Sequence, residues 1–104
     1  MEKPNMQVIE EISGNDEDFK KNLLEIIKKE FSKEFENYNH SYLKKDFEEA
    51  SECVHKLKHK ISLLGFKEEL QKAALFEKEV KKGNLELHEN FIDTLNKINV
   101  YLYD

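Results

Sequence analysis

At 104 residues, with a formal net charge of -5 and charged and apolar residues at 38% each, the chain has room for one small domain and one core, burying about 65% of the surface its unfolded form exposes. The acidic balance excludes generic nucleic-acid binding, whose affinity needs a basic excess over phosphate; all 17 basic residues are Lys, so no Arg fork exists for bidentate phosphate capture. A single Cys53 allows no intramolecular disulfide, and Met1-Glu2-Lys3-Pro4-Asn5-Met6 holds no apolar run fit for a signal peptide or a membrane span, which points to a cytoplasmic protein with no membrane partner.

The three glycines and the one proline fall where helices need punctuation: Pro4 in the tail, then Gly14, Gly65 and Gly83 between periodic segments. A short first helix is predicted over Gln7 to Ile12, with Val8 and Ile12 as a one-sided i, i+4 pair. Asn15 or Asp16 caps a long second helix to about Lys44, in which Phe19, Leu23, Ile26, Ile27, Phe31, Phe35, Tyr38 and Tyr42 recur at three- and four-residue steps. Asp46 caps a third, with Glu49 as its capping-box partner and Phe47, Ala50, Val54, Leu57, Ile61 and Leu64 as its apolar face; Gly65 ends it. A fourth, from about Lys67 to Lys82, buries Leu70, Ala73, Ala74, Phe76 and Val80, and a fifth, from about Glu86 to Leu102, repeats Phe91, Leu95, Ile98 and Leu102. Short connections leave consecutive amphipathic helices side by side. The expectation is therefore an all-α chain, an antiparallel up-and-down four-helix bundle over about 16–103 with a short extra N-terminal helix over about 7–12, in a single domain 1–104.

The run His55-Lys56-Leu57-Lys58-His59-Lys60-Ile61-Ser62-Leu63-Leu64-Gly65 carries the chemistry. Taking 100° per residue, His55 lies roughly 130° from the apolar stripe, on the wet face with Glu48, Ser51, His59 and Ser62. An exposed imidazole on a rigid helix is a nucleophile able to take and return a phosphoryl group. Lys58, one turn on, is placed to meet oxygens carried on that ring, while Lys56 and Lys60 add to a basic segment that can steer an acidic partner. If Gly65 turns the chain into an antiparallel fourth helix, Glu77 comes level with His55. Its carboxylate can then accept from Nδ1–H of His55 and leave Nε2 free to attack.

These residues resemble the histidine-containing phosphotransfer domain of bacterial two-component phosphorelays, whose pattern is roughly His-x-Leu-Lys-Gly-Ser/Ala-x-x-x-Leu/Val-Gly; His55, Leu57, Lys58, Leu64 and Gly65 stand at the matching places. The resemblance covers nearly the whole chain. It implies a four-helix bundle in which Glu77 holds the histidine ring. It also implies a phosphorelay intermediate without ATPase or autokinase activity, whose His55 accepts a phosphoryl group from a receiver-domain aspartate and passes it to another receiver. The partners implied are response-regulator receiver domains and a hybrid histidine kinase. No cofactor is held by this chain, Mg²⁺ being on the partner receiver, and a monomer is expected. Two positions depart from the pattern: His59 and Lys60 replace two small residues, and a ring at 59 can crowd the docking surface, narrow partner choice or contact the phosphoryl group. Only His55 has the ten-residue spacing to Gly65, which favours it over His59 as the acceptor.

Two other readings compete. His55 and His59 at i, i+4 can chelate a divalent metal with Glu52 or Glu48, although three neighbouring lysines oppose a cation. A bundle of the same fold can also serve purely as a scaffold or binding module. His40 and His88 have no motif around them and read as surface residues, Cys53 as partly buried packing, and Ser51 and Ser62 as flanks of the docking surface.

Overall fold

The computed structural model describes residues 2–103; Met1 and Asp104, the ends of the domain expected over 1–104, lie outside the described residues. Five helices follow in order: α1 (Gln7–Ser13), α2 (Glu17–Leu43), α3 (Phe47–Leu63), α4 (Lys67–Lys81) and α5 (His88–Tyr103), with no strand among the described residues. Residues 28 and 32 of α2 meet Tyr103 while Tyr38 meets His88, so α2 and α5 run antiparallel. In the same way Glu34 meets Lys60 while Tyr42 packs on Phe47 across α2 and α3, and Glu69 meets Thr94 while Phe76 packs on Phe91 across α4 and α5. The result is the up-and-down four-helix bundle with a short helix ahead of it.

The apolar stripes account for the core. Ala50, Val54, Leu57, Ile61 and Leu64 of α3 and its end are fully buried, against Ile27, Phe31 and Tyr38 from α2, Ala73, Phe76 and Val80 from α4, and Phe91, Leu95 and Ile98 from α5. Cys53 packs at the edge of this core, and burial pushes its thiol up from the usual range.

Two apolar assignments shift. In α1 the buried apolar residue is Ile9, and Ile12 is 52% exposed, because so short a helix presents only one turn to its neighbour and Ile9 occupies it. In α2, Phe19 and Ile26 stay exposed; they sit roughly 110° around the helix from the mean direction of Ile27, Phe31 and Tyr38. At 27 residues α2 is about 40 Å long, against about 25 Å for the 17 residues of α3. Its N-terminal stretch thus outruns the bundle.

Helix ends follow side-chain and backbone chemistry. Asp16 Oδ1 accepts from the Phe19 amide at 3.0 Å and Asp46 Oδ1 from the Glu49 amide at 3.1 Å. The return arm expected from Glu49 is not made, since the Asp46 amide already donates to the Ser41 carbonyl at 2.9 Å. That bond, with Lys45 N–H to Tyr42 O, is a Schellman closure in which Lys45 holds a φ of 60°. The α3–α4 turn closes likewise, Phe66 N–H to Ile61 O and Gly65 N–H to Ser62 O, with Gly65 at φ 77°. The N-terminal segment crosses this turn: the Asn5 amide donates to Leu64 O at 2.8 Å, and the Glu2 carboxylate accepts from the first amides of α4, at Glu68 and Glu69. A Cβ at residue 65 would come within 2.6 Å of the Asn5 side chain, so the glycine serves both the turn and this crossing.

Candidate functional site

The tight turn at Gly65 lays α4 back along α3, and the helical period then decides which side chains share a level. His55 and Glu77 do. Nδ1 of His55 is 3.1 Å from Oε2 of Glu77. With Glu77 ionised, this geometry makes Nδ1 the protonated nitrogen and the donor, and leaves Nε2 with its lone pair free. The His55 side chain is 56% exposed and that of Glu77 25%, so the carboxylate is a partly sheltered base and the imidazole reaches into solvent.

Lys58 enters the site from a different direction than its spacing implies. Its ammonium lies 2.7 Å from Oε1 of Glu77 in an ion pair. Glu77 therefore carries His55 on one oxygen and Lys58 on the other. Partial burial pushes the Glu77 carboxyl upward, but Lys58 first and His55 second outweigh it and hold the group below the usual carboxylate range. Below Glu77 the backbone is tied as well, since the Ser51 hydroxyl donates to the Glu77 carbonyl at 2.7 Å. Ser51 is thus largely buried at the α3–α4 seam, where α4 covers most of it. Ser62 remains on the exposed face.

Lys60 is likewise absent from the basic face. It is 7% exposed and its ammonium pairs with Glu30 at 2.9 Å and Glu34 at 3.2 Å, because the α2–α3 contact turns this side of the helix inward. His59 stays exposed on the His55 side, its ring centroid 5.2 Å from that of His55 in an edge arrangement at 67°. A shallow hollow opens beside His55 toward the start of α3, bounded by Glu48, Ser51, Glu52, Lys56 and, from α4, Glu77 and Lys81.

His40 is exposed as expected, but His88 is not a plain surface residue. It begins α5 half-buried, stacked on Tyr42 with centroids 3.7 Å apart and 7° between planes, while its Nδ1 is 2.7 Å from Tyr38 Oη. Burial pushes the Tyr38 phenol far above its usual value and lowers the proton affinity of His88, so the pair is held as two neutral groups sharing one hydrogen bond. The spacing Tyr38…Tyr42 on one helix face held this information only once α5 was known to start beside it.

No family model, no curated protein and no solved structure matches this chain. No helix among the described residues is long and apolar enough to cross a membrane, and no three or more His, Cys, Asp or Glu side chains among them gather to hold a metal. What remains chemically distinctive is one imidazole with a directed tautomer, an open nitrogen and a carboxylate behind it, on the least mobile kind of support, the middle of a packed helix.

Proposed function

We propose that this chain is a phosphoryl carrier, with His55 as acceptor and donor, working between receiver domains in the manner of the histidine-containing phosphotransfer domains it resembles. The observation that carries the reading is the pairing of Nδ1 with Glu77 on a half-exposed His55. In the forward step the Nε2 lone pair attacks the phosphorus of an aspartyl phosphate. The N–P bond forms, the P–O bond breaks, and the electron pair leaves on the aspartate carboxylate; the reverse step returns the phosphoryl group to another aspartate. The ring gains positive charge as the N–P bond forms, and the Glu77 carboxylate faces that charge through Nδ1–H. Lys58 keeps Glu77 ionised and positioned. No residue need remove a proton, because the attacking nitrogen carries none. The partner receiver would bring its aspartyl phosphate and Mg²⁺, and this chain the nucleophile and the docking face.

The test is transfer from a panel of phosphorylated receiver domains in Mg²⁺ buffer, comparing the unaltered chain with His55→Gln and His59→Gln. Label that is acid-labile and alkali-stable on the unaltered chain and on His59→Gln, but absent from His55→Gln, is the expected result. Receivers that bind the chain and label none of the three would make it a scaffold module and overturn the carrier reading.

A further inference from the structure

The surroundings of Nε2 are one-sided. Toward the start of α3 the histidine borders the hollow edged by Glu48, Glu52, Lys56 and Lys81. Toward the end of α3 stands the exposed ring of His59, in edge contact with His55 at 5.2 Å. Helical Cα–Cβ bonds tilt toward the N-terminus, so a side chain four residues on leans over the turn that carries its i−4 neighbour. His59 therefore leans toward His55, and the ring contact shows that it reaches it.

The inward neighbours cannot share this role. Lys58 is drawn onto Glu77 and Lys60 is buried against Glu30 and Glu34, which leaves His59 as the bulky group standing on that flank.

We propose that His59 is a specificity-determining wall: it closes the C-terminal side of Nε2, so that only receiver domains whose rim next to the aspartyl phosphate carries a small residue opposite position 59 can bring phosphorus within reach. This inference rests on the reading of His55 as the acceptor. Such a wall discriminates by exclusion, through a clash with wrong partners, and contributes little to the right one. It leaves the nucleophile itself unchanged. Partners that fit approach over the hollow, where Lys56 and Lys81 stand among Glu48, Glu52 and Glu77 and give them a charge pattern to match.

The experiment separates docking from chemistry by using two donors. Phosphoramidate, a small donor with no protein rim, is compared with a panel of phosphorylated receiver domains on the unaltered chain, His59→Ala and His59→Phe, with circular dichroism to verify folding. Phosphoramidate is expected to label His55 in all three at rates within about twofold. Receivers that transfer poorly to the unaltered chain are expected to gain at least about tenfold with His59→Ala and nothing with His59→Phe, while the best receiver changes little. A uniform change across all receivers, or a matching change with phosphoramidate, would show that His59 acts on the His55 ring and overturn the wall. His55 left unlabelled by every donor in every variant would instead overturn the carrier reading on which the wall depends.

Discussion

Replacing Glu77 by Ala removes the acceptor from His55 Nδ1 and the counter-charge from Lys58 in one step, and the two losses have different sizes. The Nδ1–Oε2 bond of 3.1 Å, made to an ionised carboxylate, strengthens as the ring takes on positive charge; hydrogen bonds to charged groups contribute about 1.5–3 kcal/mol. Because the His55 side chain is 56% exposed, water competes for Nδ1, and the lower end, about 1.5 kcal/mol, is the appropriate figure. Expressed as rate, that is a loss of about tenfold in transfer to His55. Glu77→Gln keeps an oxygen to accept from Nδ1–H without the charge, so its loss should be about threefold. Folding should be less affected. The Lys58 pair is a quarter exposed on both sides and is worth about 1 kcal/mol or less, and Ser51 still finds the backbone carbonyl at residue 77. Single-turnover transfer from a phosphorylated receiver gives the rates, and urea unfolding of the same variants gives the stabilities. Transfer to Glu77→Ala at the rate of the unaltered chain would refute the argument that the carboxylate directs the ring.

Three further outcomes follow from the geometry. Lys45→Gly should raise stability by about 1 kcal/mol, equivalent to about 5 °C in Tm, by relieving the left-handed φ of 60° that a side chain resists; no rise in a thermal scan would mean that Lys45 sits there without cost. Lys60→Met should cost about 2–3 kcal/mol by leaving Glu34, only 15% exposed, without its cation, and adding Glu34→Leu should recover most of that loss in urea titrations. His88 has its proton affinity lowered from the usual 6.5 by burial, so its contribution to stability is complete above 6.5 and declines as pH falls below that value, where the unfolded chain binds the proton more readily. His88→Phe should flatten that limb of the stability–pH curve, and an unchanged slope would assign it to other groups.

The parts of the fold that depend on local pattern were legible in the sequence. The α3 stripe from Ala50 to Leu64 and the glycine that ends it specify both a buried face and a reversal. Together these place Glu77 level with His55, which is why a pair 22 residues apart was readable. What escaped depends on how helices meet. The helical period puts Ser51 on the wet face and Lys60 reads as part of a basic segment, yet Lys60 finds two carboxylates on α2 and Ser51 a carbonyl on α4. Lys58 was legible only in part: its spacing puts it one turn from His55, but its pairing with the Glu77 carboxylate depends on where α4 lies. His88 was missed because its partners, Tyr38 and Tyr42, belong to a helix far away in sequence. The α2–α3 turn has no glycine to announce it, since Lys45 takes the left-handed position itself. Nor did the N-terminal tail advertise that Glu2 would cap α4 and Asn5 would cross Gly65.

The most direct test is to locate the phosphoryl group at atomic level. After transfer from a receiver to ¹⁵N-labelled chain, ¹H–¹⁵N and ³¹P spectra of the imidazoles should show phosphorus bonded to Nε2 of His55, with Nδ1 of the same ring protonated and protected by Glu77. Phosphorus on His59, on Nδ1 of His55, or on no histidine of a chain that binds the receiver would contradict it.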